Sequence, residues 1–139
     1  MTAASQFVAG IGTDILRVER IERIYQRQGL RFAQRVLGER ELDVFHRRQA
    51  RDANRGVRYL ATRFAAKEAF SKAIGLGIHS PMTWTRVEVL NSSSGKPILS
   101  LNGPLLPWYA ERFGAVHVSL SDESDVVVAF VVVEAREPT

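Results

Sequence analysis

Hydrophobic positions along this chain change period part-way. In the first half they recur every three or four residues, the repeat of a helix face; in the second they alternate or run on, as in strands. Phe7 to Ile11 alternates weakly and predicts a short strand ended by Gly12-Thr13-Asp14. Val18, Ile21, Ile24 and Tyr25 mark an amphipathic helix, and Phe32 to Leu37 is helical or turn-like. Glu39 to Ala50 predicts a further helix with acids early and His46, Arg47 and Arg48 late, as the helix dipole prefers. Asp52 to Gly56 is a polar connector, after which a helix runs to Gly75, placed to end it in a left-handed turn. Trp84 to Leu90 and Ile98 to Leu101 form a hairpin about the turn Asn91 to Pro97. A helix from Pro104 to Phe113 and strands over Ala115 to Leu120 and Val126 to Glu134 follow, with Ser121 to Asp125 as the last turn. The final strand is nearly all valine, so it is expected to be central and buried on both faces. Helices before strands imply an α+β fold, and nothing marks a linker or repeat, so residues 1–139 are expected to be one domain.

One segment breaks the pattern. In RFAAKEAFSKAIG, Arg63 to Gly75, the stripe Val57, Leu60, Phe64, Glu68, Ser71 places a carboxylate on an apolar face. Such a group is costly unless a cation, a metal or hydrogen bonds receive it. Lys67 and Lys72 offer cations within about one turn.

Composition changes this picture little; charge changes it more. Hydrophobic residues at 45% and charged ones at 24% make a globular chain, and no apolar run is long enough to span a bilayer. MTAASQFVAGIG lacks the basic and apolar regions of a signal peptide. The lack of cysteine excludes disulfides and thiolate chemistry and fits a cytoplasmic protein. Between residues 17 and 35 stand Arg17, Arg20, Arg23, Arg27, Arg31 and Arg35 against only Glu19 and Glu22. Of the chain's 19 basic and 15 acidic residues this leaves 13 and 13, so the whole +4 comes from that segment. It is either a solvated basic face or a docking surface for an acidic protein or nucleic acid.

Two acids are candidates for chemistry. Asp14 sits where a strand gives way to a helix and would serve as an N-cap if it stood alone. Glu68 could pair with Lys72 four residues on. Together, two carboxylates from separate elements could instead hold a hard cation such as Mg²⁺, with Lys67, Lys72 and Arg63 meeting phosphate charge. No Walker A pattern is present, and Gly10-Ile11-Gly12 is too short for a dinucleotide fingerprint. His117, Ser119 and Ser121 share one strand face, but no nucleophile elbow surrounds either serine.

Gly12-Thr13-Asp14-Ile15, Arg20, RFAAKEAFSKAIG, Ser94-Gly95-Lys96-Pro97 and HVSLSD from His117 occur in an order that resembles the short, single-repeat 4′-phosphopantetheinyl transferases, the holo-[acyl-carrier-protein] synthase type. The resemblance implies a mainly antiparallel sheet packed against a long central helix. It implies transfer of 4′-phosphopantetheine from coenzyme A to a serine of apo-acyl carrier protein, releasing adenosine 3′,5′-bisphosphate and serving fatty acid synthesis. By the same resemblance Asp14 and Glu68 bind Mg²⁺, and Lys72 contacts the phosphates with Lys67 and Ser71 nearby. Arg63, Gly95, Lys96, Pro97 and His117 would surround the nucleotide, and Arg20, Arg27 and Arg31 would face the acidic carrier. The family is typically a homotrimer with sites shared between subunits. The serine proton would go to Glu68 or to a metal-bound water. Asp122 stands where many relatives carry histidine, and Ser94 replaces a common asparagine. The rival reading is a nucleic-acid-binding module built on the arginine stripe, but no recognised motif or interleaved aromatics support it. No nucleic acid or membrane partner is expected.

Overall fold

The protein is described from a computed structural model over residues 7–138. Residues 1–6, with the first half of the segment read for leader features, lie outside the described residues.

The first strand is longer than its pattern suggests. β1 spans Val8–Arg17, so Gly12-Thr13-Asp14 continues it rather than ending it. Asp14 pairs across the sheet with Ala129 and is therefore not an N-cap. The helix that follows, α1 (Val18–Gln28), has no side-chain cap. Its first amide instead donates to the Asp125 carbonyl at 3.0 Å, which ties the helix start to the last turn of the chain. Gly29 separates α1 from α2 (Leu30–Val36), which buries Phe32, Ala33 and Val36. In α3 (Glu39–Arg51) the orphan amides at the start receive a distant acid. Glu88 accepts from Arg40 N at 2.9 Å and Glu41 N at 3.4 Å, a negative charge where the dipole favours one.

The long helix α4 spans Ala53–Ala73. Asp52 caps it, its carboxylate accepting from Asn54 N at 2.8 Å, so the expected connector over 52–56 is mostly the helix's first turn. It ends in a Schellman turn: Gly75 N donates to Lys72 O and Leu76 N to Ser71 O, with Gly75 at φ 84°. A 3₁₀ turn at Trp84–Arg86 delays the next strand, β2 (Val87–Asn91), which pairs with β3 (Pro97–Leu101) as a separate hairpin. α5 is confined to Leu105–Ala110, because Phe113 and Gly114 already belong to β4 (Phe113–Asp122). β5 (Val126–Ala135) closes the chain.

β1, β5 and β4 form an antiparallel three-stranded sheet with β5 in the middle, as its valine run predicts. Only one face of β5 is fully buried within the chain, however. Val127, Ala129, Val131 and Val133 point into the core, while Phe130 is 44% exposed and Val128 and Val132 are half-buried. α4 packs on the inner face of this sheet, and its buried residues join those of the other helices in one core with Ile21, Phe45, Leu60 and Phe70 at its centre.

Candidate active site

The site begins with two glycines. A Cβ placed on Gly12 would lie 1.9 Å from the Ala69 carbonyl oxygen, and one on Gly10 1.9 Å from that of Ala73. No side chain fits there, so β1 and α4 meet backbone to backbone. Two residues along the strand answer four along the helix. Asp14 points to this same inner face, and the close approach carries it to the flank of α4 occupied by Glu68 and Lys72.

There Lys72 bridges to the strand. Its Nζ donates to the Thr13 carbonyl at 2.9 Å and stands 3.5 Å from Asp14 Oδ1. The expected Glu68–Lys72 pair does not form, and among the described residues Glu68 has no cation within ion-pair distance. Burial holds the Glu68 carboxyl above its ordinary value and the Asp14 carboxylate pushes it further, while Lys72 and Arg20 pull against them. A half-buried pair of carboxylates with one lysine, held by Asp14 alone, is short of positive charge. An oxygen-only donor set of this kind suits a hard divalent cation. Among the described residues no third His, Cys, Asp or Glu completes a protein cage, so solvent or ligand oxygens would fill the remaining positions.

A second feature was hidden from charge counting. A cleft of about 940 Å³ between the end of α3 and the first half of α4 is lined by Arg47, Arg48, Arg51, Arg55, Arg58 and Arg63. Tyr59 forms its floor; burial pushes the phenol up to about 12, so the ring is neutral. The guanidinium carbons of Arg63 and Arg48 stand 4.2 and 5.0 Å from that ring's centre. Asp122, the one carboxylate on the lining, is engaged by Arg58, which also donates to the Glu123 and Ser124 carbonyls.

Residues 10–131 match the 4′-phosphopantetheinyl transferase superfamily. A protein of Bordetella parapertussis named holo-[acyl-carrier-protein] synthase is 59% identical over 129 residues, covering 93% of this chain and 84% of the relative. The chain belongs to this superfamily. A crystal structure of holo-[acyl-carrier-protein] synthase from Neisseria meningitidis superposes with TM-score 0.85 at 41% identity, covering 91% of this chain and 98% of that one. The Bacillus anthracis synthase, solved in complex with CoA (3′,5′-ADP), superposes with TM-score 0.76 at 36% identity over 93% of this chain and 98% of that one. The α+β fold expected from the pattern is thus the fold of these transferases.

Not every residue read as part of the transferase site reaches it. Asp14, Glu68 and Lys72 come together, with the Arg20 guanidinium nearby, 5.8 Å from the Phe64 ring centre. Lys67 does not join them and cannot meet a phosphate. It is fully buried, and its Nζ donates to Val36 O at 2.6 Å, Trp84 O at 2.8 Å and Glu41 Oε1 at 2.6 Å, which uses all three protons. Ser71 is likewise buried, its hydroxyl bonded back to the Glu68 carbonyl. Arg63 is buried but borders the cleft, donating to Val89 O, Thr62 Oγ1 and Asn91 Oδ1. Gly95, Lys96 and Pro97 sit at the tip and return of the β2–β3 hairpin, with no hydrogen bond or ion pair to Asp14 or Glu68. His117 projects from the outer face of the sheet, opposite to Asp14, and donates from Nε2 to Glu134 at 2.6 Å. Arg20 and Arg27 line a second, smaller cleft along α1, and Arg31 is exposed on α2 beyond the break at Gly29.

Glu41 and Glu88 are structural residues that sequence reasoning missed. Each is buried; Glu41 caps α3 locally by accepting from Gly38 N, but the other partners of both lie 26 to 48 residues away, where no local spacing could reveal them.

Proposed function

We propose that the chain is a holo-[acyl-carrier-protein] synthase. It moves 4′-phosphopantetheine from coenzyme A to a serine of apo-acyl carrier protein, releases adenosine 3′,5′-bisphosphate, and so supplies the holo-carrier of fatty acid synthesis. The observation that carries this reading is the meeting of Asp14, Glu68 and Lys72 across the β1–α4 contact, within a chain similar to named synthases.

In the reaction the serine Oγ forms a bond to phosphorus as the bond to the adenosine bisphosphate oxygen breaks. The demand is alignment and neutralisation of phosphate charge. Lys72, exposed and anchored on Thr13, meets the phosphates from the helix side. Asp14 and Glu68 are the residues that would hold Mg²⁺, which supplies positive charge to the phosphoryl oxygens. The serine proton would go to Glu68 or to a metal-bound water. The arginine cleft beside Arg63 offers the nucleotide's phosphates a cationic wall. Arg20, Arg27 and Arg31 form a basic face for the acidic carrier, a complementarity that chiefly speeds encounter and selects the partner.

The reading includes one transferase domain over 1–139, a cytoplasmic setting and a homotrimer. The trimer is supported by the open outer face of the sheet, where Ile11, Ile15 and Phe130 are 61%, 73% and 44% exposed in the single chain. A site shared between subunits lets His117 and the Gly95–Pro97 turn, which point elsewhere within one chain, serve a neighbour's Asp14 and Glu68.

The test is direct. Purified protein is incubated with coenzyme A, Mg²⁺ and cognate apo-acyl carrier protein, and the carrier is weighed by mass spectrometry. A gain of one phosphopantetheine on the carrier serine is expected; an unchanged mass would refute the proposal.

A further inference from the structure

The Lys67–Glu41 pair is a fully buried ion pair that the proposed chemistry does not use. It joins four segments. Lys67 Nζ holds the Val36 carbonyl at the end of α2, the Trp84 carbonyl before β2, and Glu41 Oε1 on α3. Glu41 in turn accepts from Gly38 N at 2.9 Å and from Val89 N of β2 at 2.7 Å. Both side chains are fully buried and every bond is made.

The place of this pair on α4 matters. At about 100° per residue, Lys67 lies roughly 140° around the helix from the Ala69–Ala73 edge that touches the glycines of β1. Glu68 lies about 100° from Lys67, on the flank between the two contacts. The helix is therefore held from two nearly opposite sides, and its rotation sets how Glu68 faces Asp14. A carboxylate at a helix radius of about 5–6 Å moves about 1 Å for a rotation of about 10°. Mg²⁺ and Mn²⁺ sites tolerate little of that, since ligands bind near 2 Å in octahedral order.

We infer that Lys67 and Glu41 are positioning residues: their buried pair fixes the rotation of α4 and thereby the Asp14–Glu68 geometry that receives the divalent cation. The inference rests on the carboxylate pair being the metal site.

The experiment measures Mn²⁺ binding by the EPR signal of the free ion, with coenzyme A present and a protein-free control. Lys67→Met combined with Glu41→Gln removes both charges and leaves no lone buried ion. Glu41→Gln alone keeps the lysine's two carbonyl contacts and serves if the double variant does not fold. A Leu105→Ala variant, at a core position of α5, supplies loss of stability without touching the pair. Each protein is measured well below its own melting temperature. Mn²⁺ dissociation constants are expected to rise about tenfold or more in the double variant, in the range of outer-shell substitutions, by less in Glu41→Gln, and not in Leu105→Ala. Unchanged affinity in the pair variants, or an equal loss in Leu105→Ala, would overturn the inference. Failure of the unaltered protein to take up Mn²⁺ would instead overturn the metal site, and this inference with it.

Discussion

At the residue scale, Glu68 trades stability for chemistry. Its carboxyl binds a proton more tightly in the folded state, through burial and the Asp14 charge. A raised carboxyl value favours folding most below the unfolded value, and that benefit is lost as pH rises through the folded one. Above it, folding without metal carries the cost of an ionised Glu68. Glu68→Gln should therefore melt higher than the unaltered, metal-free protein at neutral pH, and the gap should close in acid. Scanning calorimetry at both pH values checks the sign. The same variant should lose transfer entirely while Asp14→Asn does likewise; near-normal turnover in either contradicts the metal assignment. The sequence made Glu68 conspicuous because a charge on an apolar stripe is a local anomaly. It gave no means to separate Lys67 from Lys72. Both are cations beside Glu68, and only partners 17 to 31 residues away turn Lys67 inward.

At the element scale, the decisive contact is β1 against α4. Short extrapolation from the pattern ended β1 at Ile11, because Gly12-Thr13-Asp14 has the composition of a turn. In the fold Gly10 and Gly12 are the surface on which the helix rests, and a turn assignment hid the fact that Asp14 faces α4. Gly12→Ala should force helix and strand apart. Overpacking of this kind costs about 1–3 kcal/mol, read from the urea midpoint. Because the displaced helix carries Glu68 away from Asp14, transfer should fall further than the lost stability explains, measured where the variant is still fully folded. A variant that is destabilised yet fully active would show that the approach serves packing alone. The arginine cleft was obscured at the same scale for a different reason. Its six arginines run from the end of one helix as far as the middle of the next, and averaging acids and bases over the remaining chain cancelled them to neutrality.

At the scale of the whole molecule, the valine run of β5 carries information that one chain does not use. A strand so apolar is expected to be covered on both sides. The core covers Val127, Ala129, Val131 and Val133, while Phe130 stands on the outer face between Thr13 of β1 and Ser119 of β4. Ile11 and Ile15 extend the same face along β1. An exposed apolar sheet face of this kind marks an association surface. Rotational symmetry about an axis near Phe130 would bring copies of this residue together. Phe130→Glu should then place like charges at that axis and remove apolar area at once. The expected outcome is a fall from trimer to monomer mass in sedimentation, with the far-ultraviolet circular dichroism retained. Transfer should fall with it, because His117 and the Gly95–Pro97 turn would no longer reach a neighbour's carboxylates. If the unaltered protein already sediments as a monomer and still transfers, the shared site is wrong and the outer face needs another occupant.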